Sequence, residues 1–400
     1  MTATDTRNDL ASLTRDELRG FFKERRLPAF RGDQVFEWIW SKGARSFDAM
    51  PNLPGALRER LNAEAKITFP EVAQVTVSED GTRKLLVKLQ DGLQVESVII
   101  PDGDRATLCI SSQVGCALAC AFCATGTMGL TRHLSPGEIA GQVALAGDVL
   151  RADPGGLELR PERPITNIVY MGMGEPLHNY AGTLASLRIL IDEKGFNYAP
   201  RRITVSTVGL VPRMLELCEQ IPVVLAVSLH AADDELRGQI MPVNRRYNLR
   251  AVIEACRKVP LRTRERITFE YVLMAGVNDT KVDADRLIAL VGDMRCKVNV
   301  IPFNEHPGAP FSRPIDSHID RFDRRLRDGG LLTFVRRTRG RDIAAACGQL
   351  AVAEPRRPGA SSGPSSAPAP PSGGAAAAPP APSAPPVPAA PSAPSAPPID

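Results

Sequence analysis

No stretch of eighteen apolar residues occurs anywhere in the 400-residue sequence, so the chain holds no candidate transmembrane helix. The opening run Met1-Thr2-Ala3-Thr4-Asp5-Thr6-Arg7 also lacks the apolar core of a secretory signal, and a cytoplasmic protein is expected. In that reducing setting the eight cysteines are expected as metal ligands, catalytic thiols or core residues, not as structural disulfides. Cys218, Cys256 and Cys296 fall in apolar helix or strand patterns and read as core. An excess of one charge is missing too: the net charge is +4, which by itself names no partner.

The end of the chain lacks the material of a core. From Pro355 to Asp400 it is almost wholly Pro, Ala, Ser and Gly, with no aromatic residue and only Val387 and Ile399 as larger aliphatics. Such a stretch cannot bury enough apolar surface to offset its ordering entropy, so residues 353–400 are expected to be a disordered, partly polyproline II tail. The chain as a whole is 43% hydrophobic, ample for a buried core and for two or three domains.

Charge is uneven even though its sum is small. Between Arg237 and Arg266 stand nine Lys or Arg against two acidic residues, and between Arg313 and Arg341 nine against four. A solvated surface is the plain explanation of such runs; a phosphate-rich substrate is the functional one.

After residue 100 short β-rich runs alternate with helical stretches: 106–113, 165–173, 202–208, 223–230, 267–274 and 297–303. Ser135-Pro136-Gly137-Glu138 is a helix start, with Pro at the first helical position and Glu three residues after the cap. Six strand-helix units predict an α/β fold with a parallel sheet, curled into an incomplete six-unit barrel whose open side suits a macromolecule. The expected domains are an N-terminal helical module, 1–68, with helices over 14–26 and 32–42; a β-rich connector, 69–105, turning at Glu79-Asp80-Gly81 and Gln90-Asp91-Gly92; the barrel, 106–352; and the tail. Aromatic and basic residues interleave in the first module, as in Trp38-Ile39-Trp40-Ser41-Lys42. Core packing is their plain role and RNA binding at the rim the functional one.

Functional groups in such folds gather at the C-terminal ends of the strands. After the first strand comes Cys116-Ala117-Leu118-Ala119-Cys120-Ala121-Phe122-Cys123, three thiolates within eight residues. Structural zinc takes four protein ligands, whereas a [4Fe-4S] cluster held by three cysteines keeps one iron open for chemistry. The spacing, with Phe122 before the last cysteine, resembles the signature loop of radical S-adenosylmethionine (SAM) enzymes, whose open iron chelates SAM. The alternative is a zinc knob completed by Cys109 or His133. The Gly172-Met173-Gly174-Glu175-Pro176 turn ends the second strand, and Glu175 there is suited to the SAM ammonium group. Ser206, Ser228, His230 and Asn304 are polar groups at later strand ends, suited to the rest of that molecule.

The run from Thr107 to Cys116 and the turn Gly174-Glu175-Pro176 with Asn179-Tyr180 combine with Ser228-Leu229-His230, Pro302-Phe303-Asn304, Arg336 to Gly340 and Ala346-Cys347-Gly348. Together they resemble the RlmN family. The resemblance covers about residues 10–352 and implies a radical SAM partial (β/α)6 barrel that methylates C2 of adenine 2503 in 23S rRNA and of adenine 37 in tRNA. It implies that Cys116, Cys120 and Cys123 hold the [4Fe-4S] cluster, and that Gly174, Glu175, Ser206, Ser228, Leu229, His230 and Asn304 bind SAM. It makes Cys347 the methyl carrier, Glu96 the proton acceptor, and Cys109 the thiol that releases the product by a transient disulfide with Cys347. The partners it implies are 23S rRNA, tRNA and a reducing electron donor such as flavodoxin, with no membrane and a monomeric enzyme.

Adenine C2 is an electron-poor carbon, which explains so many parts: it cannot attack a SAM methyl directly. In the implied route one SAM methylates Cys347 and a second yields a 5′-deoxyadenosyl radical that takes hydrogen from the S-methyl group. The methylene radical then adds to C2. Glu96 removes the C2 proton, and Cys109 frees the product. Two rivals remain: a Cfr-like enzyme that methylates C8 of the same rRNA adenine, and, from another class, a non-catalytic iron-sulfur or zinc RNA-binding protein. The latter leaves Glu175 and the pair Cys109 and Cys347 without a purpose.

Overall fold

The computed structural model describes residues 7–155, 159–160, 162–263 and 265–352. The expected tail lies outside them, as does Arg264 of the first basic block. Three helices open the chain: α1 (Arg15–Glu24), α2 (Phe30–Trp40) and α3 (Gly55–Glu64). A capping box starts α1, in which Thr14 Oγ1 accepts from Glu17 N at 3.4 Å and Glu17 Oε2 accepts from Thr14 N at 2.8 Å. Phe21, Phe22, Phe36 and Trp40 are buried, and the Trp40 ring lies 5.2 Å from Phe69 and 5.4 Å from Phe196. Most of the module's aromatic surface is therefore spent on packing. Trp38 stays half-buried with Lys42 Nζ 4.4 Å from its ring centroid.

The main sheet has ten strands: β1 (Glu71–Val77), β2 (Arg83–Lys88), β3 (Gln94–Asp102), β4 (Arg105–Cys109), β5 (Asn167–Tyr170), β6 (Ile203–Thr207), β7 (Val224–Ser228), β8 (Ile267–Leu273), β9 (Cys296–Pro302) and β10 (Thr333–Val335). They lie side by side in chain order. From β1 to β4 the pairs are antiparallel; from β4 to β10 they are parallel. Two features go beyond the sequence reading. The hairpins of 69–105 join the barrel sheet, with Val98 opposite Cys109, and β10 adds a seventh parallel strand. Its three residues are too few to show an alternation in sequence.

The expected strand over 106–113 splits. β4 ends at Cys109, and Gln113–Cys116 pairs with Gly129–His133 in a separate ribbon. Ser111 causes the break by leaving the ladder: its Oγ donates to Glu96 O at 2.6 Å and its N–H donates to Gln142 Oε1 at 2.8 Å. The predicted helix start holds, since α4 (Pro136–Ala152) opens with a Ser135–Glu138 capping box. Further helices are α5 (Tyr180–Ile191), α6 (Val211–Gln220), α7 (Asp234–Ile240), α8 (Leu249–Lys258), α9 (Lys281–Val291) and α10 (Asp316–Asp328). Among the described residues no helix is long and apolar enough to cross a membrane.

Every residue of β8 is buried, as befits a parallel strand covered on both faces. Its register sets Glu270 beside Ser228 of β7 and Asn299 of β9, a polar row on one face of the sheet. Cys256 and Cys296 are buried in the core, while Cys218 is only half-buried.

Candidate functional site

The cysteine loop is bent by residues in left-handed conformations, Gly115 at φ +76° and Ala119 at φ +48°. At Gly115 a Cβ would collide with Gly129 O, so the ribbon next to the loop requires glycine there. Cys123 N donates to Cys120 O at 3.1 Å, and Gly126 N to Cys123 O at 3.0 Å. This loop forms one wall of a cavity of about 160 Å³ at the C-terminal ends of the parallel strands. Cys116, Cys120 and Cys123 line it together with Gly174, Glu175, Ser206, Ser228, His230 and Asn304. Cys347, far along the chain, lines the same cavity. Leu229 is buried behind the wall and gives its N–H to Glu270 O at 3.0 Å.

The donor set fits an iron-sulfur cluster. Among the described residues no three Cys, His, Asp or Glu side chains surround a single ion-sized point. Three sulfurs that bind separate corners of a cluster stand further apart than three that share one ion, so loop thiols spread along one wall suit the larger group. Neither Cys109 nor His133, the candidate fourth zinc ligands, lines the cavity. Burial pushes the Cys116 thiol up to about 12, and raises Cys120 and Cys123 as well. Thiols buried in this way would need a compensating positive charge, such as iron supplies, in order to ionise.

Glu175 is buried, and burial lifts its carboxyl to about 7. Its Oε1 accepts from Leu177 N and its Oε2 from Val208 N, each at 3.0 Å. Gly174 holds the turn at φ +94°, where a Cβ would meet Gln113 Cβ at 2.5 Å, and Gln113 Oε1 accepts from Glu175 N at 2.7 Å. His230 sits at φ +57°, with its Nδ1 accepting from Val272 N at 3.0 Å. The ring proton therefore lies on Nε2. Burial, then the nearby Arg237 charge, depresses His230 to about 3, so it is a neutral donor.

Arg237 of α7 is fully buried and ties the strand ends together. Its guanidinium donates to Leu229 O at 3.1 Å, Ser228 O at 3.1 Å, Val208 O at 2.8 Å and Asn244 Oδ1 at 2.7 Å.

A further wall comes from the segment after β10, which is hydrogen-bonded to the end of the cysteine loop. Arg336 Nη1 lies 3.9 Å from Cys347 Sγ. Asn304 Nδ2 donates to Cys347 O at 3.1 Å while its Oδ1 accepts from Thr338 at 3.0 Å, so this residue, expected to bind SAM, also anchors the Cys347 segment. Cys109 is buried at the end of β4 behind the wall; burial pushes its thiol to about 12, and the neighbouring Cys347 adds to the rise while Arg336 opposes it. Glu96 also lies outside the lining. Its Oε1 pairs with Lys84 Nζ at 3.0 Å and its Oε2 accepts from Ala351 N at 3.0 Å, four residues beyond Cys347. Burial raises Glu96 against the pull of Lys84.

Four site residues escaped the sequence reading as individuals: Gln113, Arg237, Glu270 and Arg336. Glu270 had a signal, being the lone charge in the apolar strand Ile267–Leu273. Arg336 was visible only as part of a basic run and of the Arg336 to Gly340 motif, with no role of its own. Nothing in the sequence around Gln113 or Arg237 marks either as a brace.

Residues 110–288 match the Radical SAM superfamily, and residues 8–67 match the ribosomal RNA large subunit methyltransferase N-terminal domain. A dual-specificity RNA methyltransferase RlmN from Geobacter sulfurreducens is 48% identical over 347 residues, covering 86% of this chain and 92% of its own. A dual-specificity RNA methyltransferase RlmN 2 from Myxococcus xanthus is 49% identical over 345 residues, covering 86% and 90%. Among solved structures, a radical SAM methyltransferase from Sphaerobacter thermophilus superposes with a TM-score of 0.78 at 45% identity, covering 86% of this chain and 99% of that one.

Proposed function

The chain belongs to the RlmN family of radical SAM RNA methyltransferases, and on that premise we propose that it methylates C2 of adenine 2503 in 23S rRNA and of adenine 37 in tRNA through a methyl group carried on Cys347. The observation that carries this reading is that Cys347 lines the same cavity as Cys116, Cys120 and Cys123. A thiol at that place is near both a SAM-binding cluster and an incoming base.

Cys116, Cys120 and Cys123 would hold the [4Fe-4S] cluster and leave one iron for SAM. When bound, the cluster supplies the electron that splits SAM into methionine and the 5′-deoxyadenosyl radical. Backbone carbonyl oxygens around Gly174 and the remaining lone pairs of the Glu175 carboxylate receive the SAM ammonium. Ser206, Ser228, His230 and Asn304 line the space for its other polar groups, and Leu229 backs that wall. Cys347 takes the methyl of a first SAM, and that S-methyl group gives a hydrogen atom to the radical made from a second; its methylene carbon then bonds to C2, and the adduct gives up one electron, which the cluster would take back. Glu96 removes the C2 proton, and the Cys109 thiolate attacks the Cys347 sulfur, breaking its bond to the methylene carbon, which takes a proton to become methyl as the disulfide forms.

Glu96 lies beside Ala351 instead of on the cavity wall, and it is ion-paired, so a shift of the 347–351 segment accompanies its service as a base. The helical module 8–67 holds RNA at its rim, and a small reductant such as flavodoxin serves a monomeric, cytoplasmic enzyme. Mass spectrometry of active protein tests the carrier: Cys347 gains a methyl group, and Cys109→Ala accumulates protein joined to RNA through Cys347. Normal turnover of that variant with no trapped RNA overturns the mechanism.

A further inference from the structure

Glu270 is buried at mid-strand in β8 and lines the cavity, yet the reaction as described gives it no task. Its Oε1 accepts from Asn299 Nδ2 at 2.8 Å. Its Oε2 has no hydrogen-bond partner among the described residues. The contrast with Glu175 is direct, because both oxygens of that carboxylate are matched by backbone N–H groups. A buried carboxylate oxygen without a donor costs free energy, and buried polar groups are as a rule partnered. A group that enters the cavity can supply the missing donor.

Two placements narrow the donor. In the sheet Glu270 is separated by two strands from β5, which leads into the Glu175 turn, and its neighbour on the other side is β9, next to the strand that leads to Arg336. The Arg336 guanidinium feels the charge of both Cys347 and Glu270. Glu270 therefore belongs to the Cys347 side of the cavity, where the base reacts. Adenine presents an amine at N6, whereas guanine and hypoxanthine present an acceptor oxygen at the corresponding position.

We propose that Glu270 Oε2 accepts a hydrogen bond from the exocyclic amine of the target adenine and so determines which purine is presented to Cys347. This inference rests on the reading that Cys347 carries the methyl to an adenine. No bond to carbon is made by Glu270, and its effect falls on selection and orientation of the base. A carboxylate facing O6 of guanine or hypoxanthine would set acceptor against acceptor, which rejects those bases more strongly than the loss of one bond.

The test uses the reconstituted holoenzyme and a short RNA stem-loop with adenosine, purine riboside (no amine) or inosine at the target position. For the wild type, kcat/KM is expected to fall roughly ten- to hundredfold from adenosine to purine riboside. For Glu270→Gln, activity on adenosine falls by a similar factor, the ratio between adenosine and purine riboside shrinks to below about threefold, and inosine gains relative to the wild type because an amide can donate to O6. Any difference in intrinsic ring reactivity cancels when the variant's ratio is divided by that of the wild type. An unchanged ratio in the variant overturns the inference, as does a wild type that accepts both bases equally, a result that needs no variant to fold. Cys347 methylation measured without RNA locates the donor: a fall of more than about tenfold in Glu270→Gln places it on SAM and overturns the assignment to the base. A wild type that methylates none of the RNAs overturns the underlying reading and this inference together, whereas adenosine turnover with an unchanged ratio sinks this inference alone.

Discussion

The cavity has two thiol-bearing walls built in opposite ways. The loop from Cys116 to Cys123 is local: eight consecutive residues set its three thiols, and turns at Gly115 and Ala119 bend it. The Cys347 wall is borrowed. Ala124 N donates to Gly348 O at 2.8 Å, Thr125 Oγ1 to Leu350 O at 2.6 Å, Asn304 Nδ2 to Cys347 O at 3.1 Å, and Gln349 Nε2 to Glu305 O at 2.6 Å. Its position therefore depends on two other parts of the chain. On the proposed mechanism, a wall that binds a cofactor can be a rigid local loop, while a wall that carries a group between SAM and RNA is held firmly yet able to shift.

The largest expected effects separate the walls. Cys120→Ala should lose cluster absorption and SAM cleavage together, while Cys347→Ala should keep both and transfer no methyl to RNA. Iron and sulfide analysis with a SAM-cleavage assay checks this, and loss of the cluster in Cys347→Ala would break the comparison. Next comes the brace beneath both walls. Arg237→Met strands five oxygen acceptors and should cost about 3–5 kcal/mol of stability by denaturant unfolding.

A smaller effect follows from His230, whose pKa is lower in the folded protein than in the unfolded chain. The unfolded state binds its proton more readily, so the stabilisation is complete above the ordinary histidine value and is lost as pH falls toward about 3. Between about pH 6.5 and 5 this group should remove roughly 2 kcal/mol, and His230→Gln should flatten that part of the pH–stability curve. Below that in size, Thr125→Val removes one link between the walls. It should cost about 1 kcal/mol and slow methyl transfer more than SAM cleavage. Equal slowing of both would mean that the walls move as one. Smallest of all, truncation after Glu354 should change stability by less than about 0.5 kcal/mol and leave turnover on full-length rRNA nearly unchanged. A large loss of turnover would assign the tail a part in holding RNA.

Much of the fold was legible because it rests on short-range signals. The six strand-helix units show themselves by alternation, and Ser135 with Glu138 marks the start of α4 by a local exchange of hydrogen bonds. Less legible was what depends on a distant partner. The strand expected to run to Gln113 stops at Cys109 because Ser111 turns to Glu96 and Gln142. β10 stayed hidden because three residues show no period, and its existence depends on pairing with β9.

By itself the sequence determined the cysteine spacing, the glycine-flanked carboxylate of Glu175 and the polar strand ends, because each of these chemistries is encoded in neighbouring residues and in the rule that loops follow strands. Tertiary structure decided that Cys347 lies beside Arg336, that Asn304 anchors the Cys347 segment, that Glu96 stands off the cavity wall, and that Glu270 keeps one oxygen without a donor among the described residues. Those facts concern distance and desolvation between groups far apart along the chain. Only the packed molecule sets which buried group finds a partner and which is left for the ligand.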